Sequence, residues 1–275
     1  MIRPGGAALE AAARLIEDAL AQGSDARLLV IGLCGAQGSG KSTLAAGLKR
    51  RFDRVGVPTA LLSIDDLYRT RADRESLSLT VHPLLRTRGV PGTHDVALGL
   101  EVIARLDRGE GALLPRFDKG ADDRLPESRW DRAGPDTRLL LLEGWCVGAR
   151  AQEAAALRGP INALERDEDG QGVWRRYAND ALAGEYQALF ARIDRLILLA
   201  APNFDVVLRW RAQQEEALRA RAGGGEGVMT DAALARFVQH YERLTRHILA
   251  EMPARADLVI ALGDARELLG VRMRG

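Results

Sequence analysis

Aromatic residues are scarce in this sequence of 275 residues, since Phe, Trp and Tyr together make up 5% of it. A core must therefore be built mainly from Leu, Ala, Val and Ile, and the apolar fraction of 47% is normal for a soluble globular protein. The shortage also disfavours a site that depends on stacking bases against aromatic rings.

The chain has no excess of either charge. Lys and Arg number 39 and Asp and Glu number 38, which gives a formal net charge of +1. A balanced chain has no overall attraction to nucleic acid or to an anionic membrane, so neither is expected as a partner. Any ability to bind phosphate must come from a local arrangement of residues.

Cysteines are few and long apolar runs are missing. Cys34 and Cys146 each lie beside an apolar run, without a second Cys or a His at the spacing of a metal site, so both are expected to be reduced core residues. No stretch approaches the ~20 apolar residues of a membrane span, and the N-terminus lacks the apolar region of a secretory signal. A cytoplasmic protein is expected, and the sequence leaves its oligomeric state unknown.

Buried strands and amphipathic helices alternate along the chain. Continuous apolar runs predict strands, and apolar residues at helical spacing predict helices. The predicted strands are 28–33, 59–64, 138–142, 195–200 and 257–262, and the predicted helices are 7–21, 43–52, 96–106, 174–191, 206–221 and 234–248. This order predicts an α/β fold, a mainly parallel five-stranded sheet with helices on both faces, in one domain over 1–275.

Two segments interrupt that alternation. The polar segment of about 68–130, with several Gly and Pro residues and one predicted helix, is expected to be an insertion that binds the substrate. The glycine-rich stretch 223–227 lies between two amphipathic helices, where a mobile lid over about 209–230 is expected.

A glycine-rich loop follows the first strand and opens the next helix. Residues 35–42 read G-A-Q-G-S-G-K-S, the spacing G-x-x-x-x-G-K-[ST] of a P-loop, whose backbone N–H groups cradle the phosphates of ATP. The loop predicts that Lys41 reaches the β- and γ-phosphates and that Ser42 ligates Mg²⁺. The predicted nucleotide-binding residues are Gly35, Ala36, Gln37, Gly38, Ser39, Gly40, Lys41, Ser42 and Thr43.

Acidic residues follow two other predicted strands. Asp65 and Asp66 end the second strand and Glu143 ends the third. Ligands of α/β sheets gather at the carboxyl ends of the strands, so a carboxylate there can organise Mg²⁺ or accept a hydroxyl proton. Arg209 and Arg211 could carry positive charge to the migrating phosphoryl group. The sequence has no N-K-x-D or T-K-x-D segment, which disfavours a GTPase.

Seven stretches along the chain carry further sequence signals. They are G-A-Q-G-S-G-K-S-T (35–43), L-S-I-D-D-L-Y (62–68), R-G-V-P-G-T-H-D (88–95), P-R-F-D-K-G-A-D-D-R (115–124), L-L-E-G-W-C-V-G (141–148), L-R-W-R-A-Q-Q-E (208–215) and G-V-M-T-D with F-V-Q-H-Y (227–241). Together they resemble the D-glycerate 3-kinase group within the phosphoribulokinase, uridine kinase and pantothenate kinase superfamily. The first stretch is common to P-loop proteins, the second and fifth are shared across the superfamily, and the third, fourth and sixth are closer to glycerate kinases.

The sequence departs from the usual family pattern at two points. Leu67 stands where Phe usually precedes the Tyr of the second motif. The stretch 120–124 reads G-A-D-D-R, where G-x-G-D-R is usual. Both departures lie on the acceptor side of the predicted site.

The resemblance implies a kinase, a transferase that uses ATP and Mg²⁺ to phosphorylate a hydroxyl of a small carboxylate, with D-glycerate and 3-phosphoglycerate as the expected pair. It implies that Asp65 is the general base and that Glu143 organises Mg²⁺, while Arg211 is predicted to assist the transfer. Asp66 could be the base instead, and His94 could equally be a structural residue. The predicted acceptor-binding residues are Asp66, Tyr68, Arg88, His94, Asp95, Arg116, Asp118, Lys119, Arg124 and Trp145.

Two other functions stay open. One is a related P-loop kinase that acts on pantothenate or a nucleoside. The other is a regulatory protein that binds ATP without catalysis. The joint presence of Lys41, Ser42, Asp65 and Glu143 argues against the second, because a binding module needs no base.

Overall fold

The computed structural model describes residues 6–23, 28–222 and 230–274. This part of the chain contains ten strands and nine α-helices. The strands are β1 (Leu29–Gly35), β2 (Thr59–Ser63), β3 (Ala112–Leu114), β4 (Phe117–Asp118), β5 (Asp123–Arg124), β6 (Asp131–Ala133), β7 (Leu139–Gly144), β8 (Arg195–Ala200), β9 (Leu258–Leu262) and β10 (Leu268–Met273). The helices are α1 (Gly6–Gln22), α2 (Lys41–Arg54), α3 (Arg71–Thr80), α4 (Val96–Asp107), α5 (Ala163–Glu168), α6 (Val173–Ala183), α7 (Glu185–Phe190), α8 (Asp205–Ala222) and α9 (Asp231–Glu251).

A six-stranded sheet forms the centre of the fold, in the order β10-β9-β8-β1-β7-β2. Strand β1 pairs in parallel with β7 and β8, and the outer pairs β2–β7 and β8–β9 are also parallel. The five predicted strands and their parallel arrangement are confirmed. The prediction of five strands omitted β10, which lies antiparallel to β9 at one edge. Most of its side chains are exposed, so it lacks the apolar run of a buried strand.

Both faces of the sheet are covered by helices, as predicted. On one face Ile31 and Leu33 of β1 belong to a core that includes Leu44 and Leu48 of α2. On the other face Val30 of β1 belongs to a core with residues of α4 and α7. Successive residues of β1 thus enter opposite cores, which is why the strand reads as a continuous apolar run. Cys34 and Cys146 are free and buried, as predicted.

Two helix predictions were incomplete. The predicted helix 174–191 is two helices, because Gly184 between α6 and α7 has a non-helical backbone with φ −96° and ψ −108°. The insertion contains α3 as well as the predicted α4. Helix α3 is polar, but Thr70 and Asp73 form a capping box at its start, which satisfies N–H groups that the helix itself leaves unpaired.

Two small antiparallel sheets lie in and next to the insertion: β3 pairs with β6, and the hairpin β4–β5 lies between these two strands in the chain. A single 3₁₀ turn, Ile64–Leu67, follows β2 and carries Asp65 and Asp66 beyond the carboxyl end of that strand. In the described ranges no helix is long and apolar enough to cross a membrane. Residues 223–229 of the predicted lid lie outside the described residues.

Candidate active site

The glycine-rich loop joins β1 to α2, and its glycines are needed for its shape. Gly38 and Gly40 have φ values of 77° and 91°, in the left-handed region that side chains rarely adopt. A Cβ at Gly38 would lie 2.7 Å from Cβ of Trp210, whereas a Cβ at Gly40 would meet no atom within 4 Å. Gly40 is the N-cap of α2 and makes no side-chain cap, so the first N–H groups of that helix are left for an anion.

Ser42 and Glu143 form the pair predicted to bind a metal. Oγ of Ser42 donates to Oε1 of Glu143 at 3.0 Å. Oε2 of Glu143 is buried without a hydrogen-bond partner among the described residues, so this oxygen fits a cation. The described residues contain no group of three His, Cys, Asp or Glu side chains that could hold a metal alone. One carboxylate and one hydroxyl, completed by phosphate oxygens and water, suit Mg²⁺.

Asp65 lies in the field of two lysines. Tyr68 Oη donates to Oδ1 of Asp65 at 3.0 Å, and Lys119 Nζ donates to Oδ2 at 2.7 Å. Burial alone would raise the pKa of Asp65, but the charges of Lys119 and Lys41 outweigh it and hold the pKa well below its ordinary value. Burial raises the pKa of Tyr68 well above its usual range, so its hydroxyl keeps the proton that it donates.

Asp66 has different hydrogen-bond partners, which belong to the insertion. Its Oδ1 accepts from the backbone N–H of Phe117 and its Oδ2 from Nη1 of Arg116, both at 3.0 Å. Arg116 also donates to Asp131. Burial raises the pKa of Asp66, while that of Asp65 is lowered. The neighbouring carboxylates therefore differ in role: Asp66 anchors strand β4, and Asp65 faces the lysines.

Arg88 is paired within the insertion. Its guanidinium donates to the carboxylate of Asp122 and lies 5.6 Å from the ring centre of Phe117. Arg74, only 1% exposed, also contacts Asp122 at 3.0 Å and donates to the backbone carbonyls of residues 69, 86 and 122. Asp122 has a φ of 54° and is the residue at which the stretch 120–124 departs from the pattern G-x-G-D-R. The departure therefore adds a carboxylate in a conformation that Asp tolerates better than most residues.

Three other predicted acceptor residues stabilise the same segment. Arg124 donates to the carbonyl of Tyr68 at 2.9 Å and to Asp95 at 3.2 Å. Asp95 also caps α4 by accepting from the N–H of Leu98 at 3.1 Å. Asp118 accepts from the N–H groups of residues 120 and 121, which fixes the turn that carries Lys119.

His94, which lies within the insertion, and Trp145, which follows β7, are both buried. The His94 ring stacks on Tyr68 at 4.5 Å between centroids, and its Nδ1 lies 2.5 Å from Oη of Tyr186. Burial lowers the pKa of His94 to about 3, so its ring is neutral. Trp145 donates to the carbonyl of Gly89 at 3.1 Å. These contacts are with other residues of the protein, and a role of His94 and Trp145 in binding the acceptor stays a prediction.

Tyr241 of α9 adds to these contacts, although it was not predicted as a site residue. Its hydroxyl donates to the carbonyl of Arg88 at 3.2 Å, and its ring packs edge-on against Trp145. A Cβ at Gly89 would lie 2.3 Å from that hydroxyl, so only glycine fits there. The helical apolar face of α9 was the sequence signal, but its spacing does not reveal which partner the tyrosine meets.

Arg266 braces the phosphate loop and was also missed. It lies in the turn between β9 and β10 and donates to the carbonyl of Gly38 at 2.6 Å and to that of Trp210 at 3.2 Å. Its guanidinium lies 5.1 Å from the ring centre of Trp210. Arg209 pairs with Asp264 of the same turn at 2.5 Å. Arg211 lies on α8, and its predicted role in the transfer stays a prediction.

The structure thus brings together the phosphate loop, the Ser42–Glu143 pair and Asp65 at the carboxyl ends of the three adjacent strands β1, β7 and β2. The β4–β5 hairpin places Lys119 on the same side. Such a site has a place for phosphates, oxygen ligands for a cation and an ionised carboxylate. It can therefore support phosphoryl transfer to a hydroxyl.

Comparisons with known proteins agree with this geometry. The chain is 36% identical over 227 residues to the uncharacterized kinase mug58 of Schizosaccharomyces pombe, covering 79% of each protein. It is 29% identical over 247 residues to the chloroplastic D-glycerate 3-kinase of Arabidopsis thaliana, covering 86% of this chain and 52% of that protein. A solved D-glycerate 3-kinase structure from Cryptococcus neoformans superposes with a TM-score of 0.81 and 25% identity, covering 98% of this chain and 100% of that one. No family model matches the chain.

Proposed function

The chain belongs to the D-glycerate 3-kinase family of P-loop kinases, and we propose that it transfers the γ-phosphoryl group of ATP to a hydroxyl of D-glycerate, giving 3-phosphoglycerate. The activity at the coarser level, an ATP-dependent phosphotransferase with an alcohol acceptor, follows from its relatives. The observation that carries the proposal is the position of Asp65, which accepts from Lys119 at 2.7 Å at the carboxyl end of β2 and lies near enough to Lys41 of the phosphate loop for both lysines to lower its pKa. These are the charges needed between a nucleotide and a small anionic acceptor.

We propose that residues 35–43 hold the phosphates. The left-handed glycines turn backbone N–H groups inward, and Lys41 neutralises charge on the transferred group. Ser42 and Glu143 would hold Mg²⁺, which supplies charge neutralisation on the phosphates when bound. The unpartnered Oε2 of Glu143 is the structural support for that assignment.

Asp65 is the proposed base. As the acceptor oxygen bonds to the γ-phosphorus, the bond from that phosphorus to the bridging oxygen breaks, and ADP leaves with the electron pair. The hydroxyl proton passes to Asp65. Asp66 suits this role less, because its two oxygens accept from Arg116 and from the backbone N–H of Phe117, and these contacts anchor the insertion. Arg211 is proposed to stabilise charge on the migrating group.

The proposed acceptor site lies along the insertion, over about 68–130. Lys119 and Arg88 are the cations that face it, while Arg116, Arg124 and Asp95 shape it through their contacts within the segment. A lid over about 209–230 and a cytoplasmic location remain proposals that rest on sequence alone. The same holds for the absence of nucleic-acid and membrane partners.

A coupled assay of ADP release tests the proposal. With ATP and Mg²⁺ present, D-glycerate should stimulate release, while L-glycerate, pantothenate and uridine should not. Product analysis by ³¹P NMR should give the 3-phosphate. Stimulation by pantothenate or uridine alone would identify the acceptor as one of those instead. Tight ATP binding without release for any acceptor would leave a regulatory ATP-binding protein.

A further inference from the structure

Lysine is rare in this protein, and its positions are informative. Of the 39 Lys and Arg residues, three are lysines, at positions 41, 49 and 119. Two of them, Lys41 and Lys119, act on the same carboxylate and lower the pKa of Asp65. Lysine carries a compact charge on a flexible stem, whereas arginine holds a carboxylate with a rigid fork. A chain that otherwise uses arginine thus has lysine where a single mobile charge meets the proposed base.

Both oxygens of Asp65 are occupied in the structure. Tyr68 holds Oδ1 at 3.0 Å, and Tyr68 is itself 2% exposed and stacked on His94. Lys119 holds Oδ2 at 2.7 Å, and its side chain is 60% exposed. Each carboxylate oxygen can accept more than one hydrogen bond, but an ammonium in contact with an oxygen makes it less basic, so a base works best with one oxygen clear of such a partner. The oxygen held by the buried tyrosine is fixed, whereas the one held by the exposed lysine can be released.

The backbone around Lys119 is anchored, so release requires movement of the side chain alone. The strand before it is tied to Asp66 through the N–H of Phe117 at 3.0 Å. The strand after it is tied to the carbonyl of Tyr68 through Arg124 at 2.9 Å. Asp118 closes the turn between them. The lysine stem is the flexible part of an otherwise fixed hairpin.

We propose that Lys119 gates the base: the carboxylate of the acceptor draws the Lys119 ammonium away from Asp65, and this frees Oδ2 to take the proton of the acceptor hydroxyl. The inference rests on the proposed function and adds how the site selects its substrate class. When an anionic hydroxy acid binds, the ion pair between Lys119 and Asp65 is replaced by one between Lys119 and the carboxylate of the acid. A neutral alcohol of the same shape must break the Lys119–Asp65 pair without replacing it, so it is phosphorylated poorly.

Movement of Lys119 also changes the pKa of Asp65. While Lys119 is in place, the pKa of Asp65 is held low and the carboxylate accepts a proton reluctantly. When the ammonium moves to the acceptor, the pKa of Asp65 rises toward its ordinary value, and the carboxylate becomes a better proton acceptor at the moment when the hydroxyl arrives.

Lys119→Met and an uncharged substrate test the gate. D-Glyceramide has the hydroxyls of D-glycerate without its charge. In the variant, kcat/KM for D-glycerate should fall about 10–100-fold, the size of a lost charged hydrogen bond. For D-glyceramide it should rise, because Asp65 is no longer held. The acid limb of the pH profile for D-glycerate should move to higher pH, because Asp65 loses the cation that keeps it ionised.

Two further variants separate the gate from a general effect of charge. Lys49→Met removes the same charge from another partly exposed lysine, which pairs with Asp53 at 2.8 Å. This variant should keep the wild-type kcat/KM for both acceptors and the wild-type acid limb. Lys119→Arg keeps the charge but holds Asp65 with a fork, so kcat should fall for both acceptors.

Two results would contradict these proposals, and they can be told apart. If Lys119→Met binds ATP normally but keeps the wild-type preference for D-glycerate over D-glyceramide and an unmoved acid limb, Lys119 is no gate, even though the kinase assignment stands. If the wild-type protein releases no ADP with D-glycerate, the proposed function fails, and the gate fails with it.

Discussion

Ser42 and Glu143 meet at the carboxyl ends of the adjacent strands β1 and β7: Oγ of Ser42 donates to Oε1 of Glu143 at 3.0 Å, although 101 positions separate them in the chain. The parallel pairing of β1 and β7 sets this contact, because Cys34 and Gly144 stand side by side in register at the ends of these strands. Any ion held by both side chains is therefore positioned by the sheet itself.

Glu143→Gln should weaken the response to Mg²⁺. The amide keeps the shape of the side chain but loses the charge that a divalent cation needs. We expect the Mg²⁺ concentration for half-maximal ADP release to rise about 10–100-fold. Glu110→Gln, which removes a surface carboxylate paired with Arg108, serves as the control. An unchanged Mg²⁺ titration would remove Glu143 from the metal site.

Asp65→Asn should abolish most turnover while leaving ATP affinity unchanged. A general base contributes about 10²–10⁴-fold, so kcat should fall by that factor. Asp66→Asn should mainly raise the KM for the acceptor, because Arg116 and Phe117 lose their anchor. For both variants, steady-state kinetics measures kcat and the KM for the acceptor, and calorimetry measures ATP affinity. A larger loss of kcat in Asp66→Asn than in Asp65→Asn would make Asp66 the base.

Arg266→Ala should weaken ATP binding without affecting the acceptor. The variant loses the contacts that hold the carbonyls of Gly38 and Trp210. We expect the Kd for ATP to rise about tenfold, which corresponds to ~1.4 kcal/mol. Arg209→Ala breaks an exposed ion pair in the same turn and should change Kd little. Similar effects of the two substitutions would show that the brace is unimportant.

Asp122→Asn should tighten binding of the anionic acceptor. The amide still accepts hydrogen bonds and tolerates the left-handed backbone, but it no longer offsets the charge of Arg88. The KM for D-glycerate should fall roughly threefold to tenfold, in line with a Coulomb difference of about 1 kcal/mol. The midpoint of urea unfolding should fall, since buried Arg74 loses its ion pair.

Asp123→Asn is the matched control for that experiment. It removes a carboxylate one residue later, which accepts from the N–H of Arg71. Its KM for D-glycerate should stay at the wild-type value. An equal fall in KM for both variants would mean that net charge, not the pairing of Arg88, sets acceptor affinity.

Because of the buried side chain of His240, the free energy of unfolding should fall at acid pH. Burial lowers its pKa to about 4 in the folded protein, whereas an unfolded His titrates near 6.5. Between these values the unfolded chain binds more protons, so the free energy of unfolding should fall as pH drops below about 6.5, by up to about 1.4 kcal/mol per pH unit. Urea unfolding at pH 7 and pH 5 measures the fall. His240→Phe should reduce it, and an equal fall in that variant would exclude His240.

The sequence indicated which residues of the proposed nucleotide side would come together, because the signals there are local. The residues 35–42 are contiguous, and the apolar runs before Asp65 and Glu143 show that both residues end buried strands. Parallel strands then bring their ends to one edge of the sheet. Nothing beyond strand order and register is needed to assemble that half of the site.

The acceptor side could be predicted only in outline. Its arginines were found, but not the carboxylates that pair with them, since the partners depend on how the insertion folds back on itself. Arg88 meets Asp122 and Arg116 meets Asp66, and no spacing rule connects these positions. The clue present in the sequence was position 122, where an expected glycine is replaced. Helix α3 and strand β10 were missed because neither buries an apolar stripe.

The contact between Arg266 and Gly38 spans 228 positions of the chain. A ribosome makes the phosphate loop 228 positions before its brace, so the growing chain carries the loop without that contact throughout this interval. Chains interrupted before residue 266 would hold the loop sequence without its support. The affinity of the loop for a nucleotide is therefore expected to increase only once residue 266 has been made and has folded against it.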